Sequence, residues 1–555
     1  MSILLRFKRT IGVRACALST TAFVALTLAS ISGDGPRFYS DDPITREPER
    51  RDASGVQPWK IGLLYELSHN LFVTQGYKPQ NVRAKNINTI DEVPDSNWFT
   101  NRIGSQTVSL TDLQRGPQTG RPPSPEKWVI IREKIGGVNP GVTAIDANGE
   151  TWFIEFDSRH YPEGDSAATI IATKLFWALG YNQVESFITS FDPKRVSFDP
   201  KATMLRPSGK RTPFTNEDLD ELLDGAARSE DGLYRIIAGR LLPGKILGGF
   251  RYAGTRPDDP NDVVPHEHRR ELRALRVFGA WTNLTDLKAG NTLDTLVTEN
   301  GRAVVKHYLQ DVGSTFGMAN GPHEWDLGWE HFYEGEATRK RLFSFGFALS
   351  PWQTVPYQEY SSVGKIEGDR FDPRTWKPHA PTTAYMELQP DDAFWAARRV
   401  MAFSDEMIRA AVHTGQFSDA AAEAHLAAVI AKRRDVIGRT YLTAINPIVN
   451  PRLDGGSLTF ENAAVSAGFA NGPSEYRATW SRFDNATGDT RPIGDTRSTS
   501  LTIAAPRDLP DASGTYIQVD LSAVSETYPS WRKPVRLHFC RVGTGWKLVG
   551  LERTS

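Results

Sequence analysis

Cysteine is nearly absent: Cys16 and Cys540 are the only two in 555 residues. That excludes a disulfide framework, so a chain this long must rest on two or three domains with buried apolar cores. An excess of charge of either sign is also missing, with 65 basic against 66 acidic residues and a net charge of −1. Without a basic field or a lysine/arginine stripe, nucleic acid is excluded as a partner. Hydrophobic residues make up 39%, which fits a globular chain and neither a disordered nor a polytopic one. There is no internal repeat. Histidines are few and not clustered. His266-Glu267-His268 lacks the helical spacing that points two imidazoles at one ion, and reads as a solvated helix start.

What is present begins with an amino-terminal export signal, expected over residues 1–32. Arg6, Lys8, Arg9 and Arg14 precede an apolar run at 15–31, and small residues at 28–32 suit signal peptidase. The run is short for a membrane span, and an uncleaved anchor stays open as the alternative. Cleavage would leave 61 basic against 66 acidic residues and Cys540 alone. The expected location is the bacterial periplasm, cell envelope or exterior. Residues 33–57 read as a polar tether, 63–72 as a helix and 116–125 as a proline-rich connection. Together, 33–126 form an N-terminal extension and linker.

The strongest local signal is Asn300-Gly301 between strand-like runs at 292–299 and 302–310. A two-residue primed turn needs positive φ at both centres, which Asn-Gly supplies. If Glu299 faces Arg302, Asn291 falls opposite Gln310, one residue from Asp311. The hairpin then carries an amide and a carboxylate to within reach of one cation. Oxygen donors of that kind suit Mg²⁺ or Mn²⁺, which takes its remaining ligands from phosphates and water. Asp286 projects from the same loop as a candidate base. A helix expected over 268–281 would carry this loop on a stripe of Leu272, Leu275, Phe278 and Trp281.

The order Asp286-Leu287-Lys288-Ala289-Gly290-Asn291, then a hairpin, then Asp311-Val312-Gly313, resembles the active-site half of the protein-kinase-like superfamily. There the catalytic loop reads Asp-x-Lys-x-x-Asn and a short hairpin leads into Asp-x-Gly. The resemblance implies that Asp286 is the catalytic base, that Lys288 neutralises the transferred phosphoryl group, and that Asn291 and Asp311 hold the metal. It implies ATP or another nucleotide as co-substrate. Thr285 stands where conventional protein kinases have arginine, and no Ala-Pro-Glu ending follows Asp311. The likeness is therefore to atypical kinases.

Upstream residues fit a small lobe at 127–200. Strands are expected at 128–134, 142–146 and 151–157, with Asn148-Gly149 as a turn. Gly136, Gly137 and Gly141 lie in a loop that could approach phosphates. A helix capped by Asp165 or Ser166 would run to Gly180 with one buried face, followed by a strand at 184–191. Third-strand alternation puts Glu155 near where kinases place a phosphate-binding lysine. A carboxylate there repels phosphates by about 4 kcal/mol at ~4 Å and an effective dielectric of about 20. Lys134 is the candidate substitute contact, with Glu163 as its candidate partner. Between the lobes, Arg256, Asp258, Asp259 and Asp262 read as a solvated acidic turn rather than a Ca²⁺ or substrate contact.

A large lobe is expected over 201–450, with helices at 392–412 and 419–442. From 455 to 555, short strands recur, and Val535, Leu537 and Phe539 alternate with Arg536, His538 and Cys540. Those strands suit a β-sandwich, with Trp480 and Trp531 as its first exposed side chains to test. The fold class expected is α+β: a two-lobed kinase-like core with a C-terminal β-sandwich domain. The expected activity is phosphoryl transfer from a nucleotide to a protein, glycan or lipid hydroxyl, with peripheral envelope association. The rival is a catalytically inactive kinase-like envelope protein that binds a glycan, lipid or protein. A metal-dependent hydrolase built on Asp258, Asp259 and Asp286 is a third alternative, without a histidine cluster to support it.

Overall fold

The computed structural model describes residues 35–48, 51–134, 139–206, 208–318 and 327–553. The expected export segment, Gly136 and Gly137 lie outside them. Seven strands form the first sheet: β1 (Trp128–Glu133), β2 (Gly141–Ile145), β3 (Thr151–Phe156), β4 (Ser186–Phe191), β5 (Val196–Leu205), β6 (Arg211–Pro213) and β7 (Tyr234–Arg240). Their order is β4-β7-β3-β2-β1-β5-β6. Every pairing is antiparallel except β1 with β5. Period-two alternation sets the faces: Trp152, Ile154 and Phe156 are buried, while Phe153 is 41% exposed. The sheet does not end near residue 200, where the sequence suggested the lobe boundary. β7 inserts between β3 and β4, so the lobe runs on to Arg240.

The helix Gly164–Leu179 was expected to bury one face, but it is buried on nearly every side. It lies between the sheet and the helical lobe, where an all-round apolar helix belongs. Neither Asp165 nor Ser166 caps it. The N-cap is Glu163, in the left-handed region at φ 68°. Asp157 supplies the missing acceptor, taking the Ser166 backbone N–H and hydroxyl at 2.7 Å each.

A second sheet contains β8 (Lys245–Gly248), β9 (Thr292–Glu299) and β10 (Arg302–Leu309), in the order β10-β9-β8. Asn300 and Gly301 have φ of 51° and 76°, the positive values a primed turn requires. The register runs from Glu299↔Arg302 to Thr292↔Leu309 without a slip, as the turn chemistry predicted. Below it, the helix Arg270–Thr282 buries Leu272, Leu275, Phe278 and Trp281. The expected helix over 392–412 is two, Pro390–Met401 and Asp405–His413, because Ser404 starts a new helix by accepting the Met407 N–H. Ala420–Leu442 follows with Asp419 as its N-cap.

The C-terminal β domain has two antiparallel sheets of three and five strands around a shared apolar core. Trp480 and Trp531 are not exposed probes but fully buried. Their indole N–H groups bond Thr496 Oγ1 at 2.8 Å and the Thr443 carbonyl at 3.0 Å. The residues expected to be a tether instead pack on the body. Phe38 covers His538, with ring centroids 4.8 Å apart, so the strand Val535–Val542 is buried at His538 on the face opposite Leu537 and Phe539. Ala53 and Val56 pack against Leu247 and Val305 of the hairpin sheet.

Most of the acidic turn is also buried: Arg256, Asp259 and Asp262 are, while Asp258 stays exposed. Arg256 bonds Asp294 at 3.1 Å, and Asp294 in turn holds His307 at 2.7 Å. His266 and His268 are buried as well, against the expectation of a solvated helix start. His266 bonds Asp262 at 2.8 Å, and His268 accepts from Arg273 at 2.7 Å. Charge counted along the sequence looked solvated, but here the buried groups are hydrogen-bonded, some locally, as Asp262 with His266, and some across elements, as Arg256 with Asp294.

Candidate active site

The loop at Asp286 begins where the helix Arg270–Thr282 stops. Asn283 takes the left-handed conformation at φ 57° and returns its N–H to the chain, a common helix ending. The Asn283 side-chain oxygen accepts from Trp376 Nε1 at 2.9 Å. Two backbone bonds then fix the next residue: the Thr285 N–H donates to Ser314 O at 3.1 Å, and its carbonyl accepts the His379 N–H at 2.8 Å. With both sides of the peptide engaged, Asp286 has little freedom.

Asn291 ties the site together. Its amide nitrogen donates to the Asp286 carbonyl at 2.9 Å and to Asp286 Oδ2 at 3.1 Å. Its backbone carbonyl accepts the N–H groups of Gln310 at 2.9 Å and Asp311 at 3.1 Å. The closing hairpin therefore delivers Asp311 to the residue that grips Asp286. Because the Asn291 nitrogen must face the Asp286 acceptors, its side-chain carbonyl oxygen is left as a donor for a cation. Lys288 Nζ reaches Asp286 Oδ2 at 2.6 Å and is otherwise half exposed.

Asp311 accepts the Gly313 N–H at 3.0 Å. The glycine is required by close packing: a Cβ there would stand 2.7 Å from Thr169 Oγ1 on the helix Gly164–Leu179. Burial raises the Asp311 carboxyl above the ordinary value; Glu155 and Asp286 push it further, while the Gly313 N–H and Lys134 oppose them. The charges that act most on Asp311, Glu155 and Asp286 against Lys134, are net negative. An uncompensated carboxylate, a second carboxylate and an amide oxygen form a donor set that fits a hard divalent cation. Among the described residues, no group of three or more His, Cys, Asp or Glu could hold a metal by itself. Bound phosphate and water would have to complete the shell.

Above Asp311 opens a cavity of about 320 Å³. Phe153, Val184, Ile237, Leu242 and Leu293 give it apolar walls, and Arg132, Glu155, Arg240, Gln310 and Asp311 supply its polar lining. An apolar slot ending in a charged site has the form a small-molecule pocket takes.

Lys134 does not pair with Glu163, which instead accepts the Ser418 N–H at 2.9 Å. Its ammonium meets Glu155 Oε1 at 2.9 Å. Gly141 makes that reach feasible. It pairs with Glu155 across β2 and β3, and a Cβ on it would lie 2.9 Å from the Lys134 Cδ and 2.5 Å from the Ile154 carbonyl. Gly141 therefore acts by giving room to the lysine, a steric role distinct from the phosphate contact expected. Asp165 stands close by with Oδ2 unpartnered. Burial first, then the charge of Asp157, pushes its carboxyl up to about 7.

Sequence reasoning missed His379. It is buried, its ring stacks on Phe332 at 4.1 Å, and its Nε2 has no partner. Burial lowers it to about 4 against the opposing charge of Asp286, so a neutral imidazole flanks that carboxylate at neutral pH. No spacing rule links residues so far apart. The hydrolase alternative loses its ligands: Asp258 pairs with Arg256 at 3.1 Å, and Asp259 accepts from Asn261 at 2.9 Å.

A strand-rich small lobe, a helical lobe, an Asp-x-Lys-x-x-Asn loop and a hairpin into Asp-x-Gly make the core protein-kinase-like, followed by a β domain. Two solved structures are similar to it. A Helicobacter pylori proinflammatory kinase, CtkA, aligns at 11% identity over 55% of this chain and 92% of its own, with a TM-score of 0.29. The Golgi casein kinase with Mn/ADP bound aligns at 12% identity over 71% and 94%, with a TM-score of 0.30. At such scores these superpositions fix neither substrate nor site, and the reading rests on the geometry above. No family model matches the chain. No curated protein matches it either.

Proposed function

We propose that this protein is an exported atypical kinase-like phosphotransferase that moves a nucleotide phosphoryl group to a hydroxyl on protein, glycan or lipid. One observation carries the reading: Asn291 holds Asp286 through its side chain and Asp311 through its backbone. A base and two oxygen ligands of unlike sequence position thereby converge on one spot. Asn291 and Asp311 would hold Mg²⁺ or Mn²⁺, whose charge, when bound, neutralises the phosphate oxygens. Both Asn291 and Lys288 bond Asp286 at Oδ2, which leaves Oδ1 to accept the proton of an acceptor hydroxyl. Lys288 can swing from Asp286 to the transferred group, being half exposed. Lys134 would offer a second cation near Asp311 only by leaving Glu155, and the apolar slot suits a nucleobase. Neutral His379 spares Asp286 a competing positive charge.

The test is thermal shift and calorimetry of the protein with ATP and other nucleotides, with and without Mg²⁺ or Mn²⁺. Stabilisation should need metal and nucleotide together, and Asp311→Ala should abolish it without changing the circular dichroism spectrum. Affinity should also rise with pH, because Asp311 must lose a proton held above its ordinary range before it can ligate. Unchanged binding in Asp311→Ala removes the metal role.

A second reading, a catalytically silent kinase-like envelope protein, is favoured by the Lys134–Glu155 pair, which occupies the cation nearest the phosphate position. Absence of any nucleotide or metal response would select it.

A further inference from the structure

We propose that the turn after the helix Gly335–Phe343 is a docking surface for an anionic phospholipid bilayer. Leu342, Phe343, Phe345, Phe347 and Leu349 are 69%, 79%, 90%, 88% and 62% exposed. Apolar side chains this protruding, close together in one short segment, are not ordinary surface residues. They form a finger, not a groove. A protein partner would need a pocket for each ring, whereas an acyl boundary accepts all of them without shape matching.

Charge completes the match. Arg339 and Lys340 are exposed on the helix immediately before the finger, against a single exposed acid, Glu336. Arg341 is occupied by Glu330. Basic residues beside a hydrophobic tip are what phosphate headgroups attract. Phe345 also has φ 50°, a left-handed conformation that a bulky residue adopts at a cost. Its ring is almost wholly exposed, so no packing within the chain repays that cost. Before the other end of that helix, the exposed rings of Phe72 and Tyr333 meet at 5.3 Å between centroids. The apolar run at 15–31, read from the sequence as an export signal or anchor, would bring the chain to a membrane in either case.

The helix that carries the finger follows a segment that reaches the candidate active site. Phe332 stacks on His379, whose N–H bonds Thr285, the residue before Asp286. Resting on the phosphotransferase reading, this placement assigns the acceptor to hydroxyls presented at a membrane interface.

The test follows deuterium uptake at residues 339–349 of the full chain, which separates this surface from any amino-terminal anchoring. Vesicles of phosphatidylcholine alone are compared with vesicles doped with phosphatidylglycerol. Uptake should slow with the anionic vesicles and change little with the neutral ones. Arg339→Glu with Lys340→Glu should weaken anionic binding by at least about twenty-five-fold, at about fivefold for each positive charge lost. Phe345→Ser with Phe347→Ser should weaken it at least about tenfold. No protection with any vesicle, or protection indifferent to both variant pairs, overturns the proposal. So does lipid-free protection that grows with protein concentration, which would assign the finger to a second copy of the chain. Both pairs lie outside the metal and base residues, so stabilisation by Mn²⁺ with nucleotide should be unchanged. If that stabilisation is absent from wild type while vesicle protection persists, docking stands and only the assigned acceptor falls with the enzyme reading.

Discussion

Asp165 offers a direct measure of how strained the polar end of the cleft is. Its carboxyl is 8% exposed, Oδ2 lacks a hydrogen bond, and burial with Asp157 raises it from 3.8 to about 7. Each unit is worth about 1.36 kcal/mol, so the ionised group costs the folded protein about 4 kcal/mol above pH 7. The sign follows from the raised value. Relative stability is fully present below the unfolded value near 4 and is lost as pH climbs through 7. Asp165→Asn keeps the shape and removes the ionisation. Any hydrogen bond that the amide fails to make is a term that does not depend on pH. The variant's advantage should therefore be under about 1 kcal/mol at pH 4 and grow by about 3 to 4 kcal/mol at pH 8. At roughly 2 to 4 °C per kcal/mol for a domain of about 200 residues, melting at pH 8 should rise by several degrees. Differential scanning calorimetry at pH 4, 6 and 8 reads this. A difference between wild type and variant that stays flat with pH refutes the reasoning.

Three more perturbations test the frame. Gly141→Ala puts a methyl group 2.5 Å from the Ile154 carbonyl, so β2 and β3 must part; a loss of about 1 to 3 kcal/mol should appear as a lower melting temperature. Arg256→Met strands Asp294, buried and bonded to His307, and should cost about 3 to 5 kcal/mol in denaturant titration, with partial recovery when Asp294→Asn is added. Glu155→Gln frees Lys134 and removes one repelling charge from Asp311, so metal-free nucleotide should bind measurably tighter by calorimetry while the pH dependence of metal binding shifts downward.

The hairpin was legible because its information is local. Two residues set the turn, the turn sets the register, and the register places Asp311 beside Asn291. The core stripe of the helix Arg270–Thr282 was legible for the same reason, through its spacing. Burial of charge was not. Arg256 is solvated or buried according to whether Asp294, on another element, faces it, and no pattern within 251–262 encodes that contact. Trp531 looked exposed because its partner, the Thr443 carbonyl, belongs to the end of the long helix. His379 was invisible because its relation to Asp286 exists only after the chain returns to the loop.

The departure at Glu155 changes meaning once the structure is in hand. A lone glutamate facing phosphates would repel them, and that argued for a silent scaffold. Lys134 at 2.9 Å cancels most of the charge, so the pair presents a dipole to the cleft instead of a repulsion. The same pairing removes a free lysine from phosphate binding. On the proposed reading, Lys288 and the slot-lining Arg132 and Arg240 are the remaining positive groups, and the acidic floor of Asp311 with the Asn291 oxygen would attract phosphates only through a divalent cation. If the proposed reading holds, nucleotide binding would depend on metal more than in a site whose lysine is unpaired. Strict dependence on both components is the behaviour that separates this geometry from a decorative remnant of the fold.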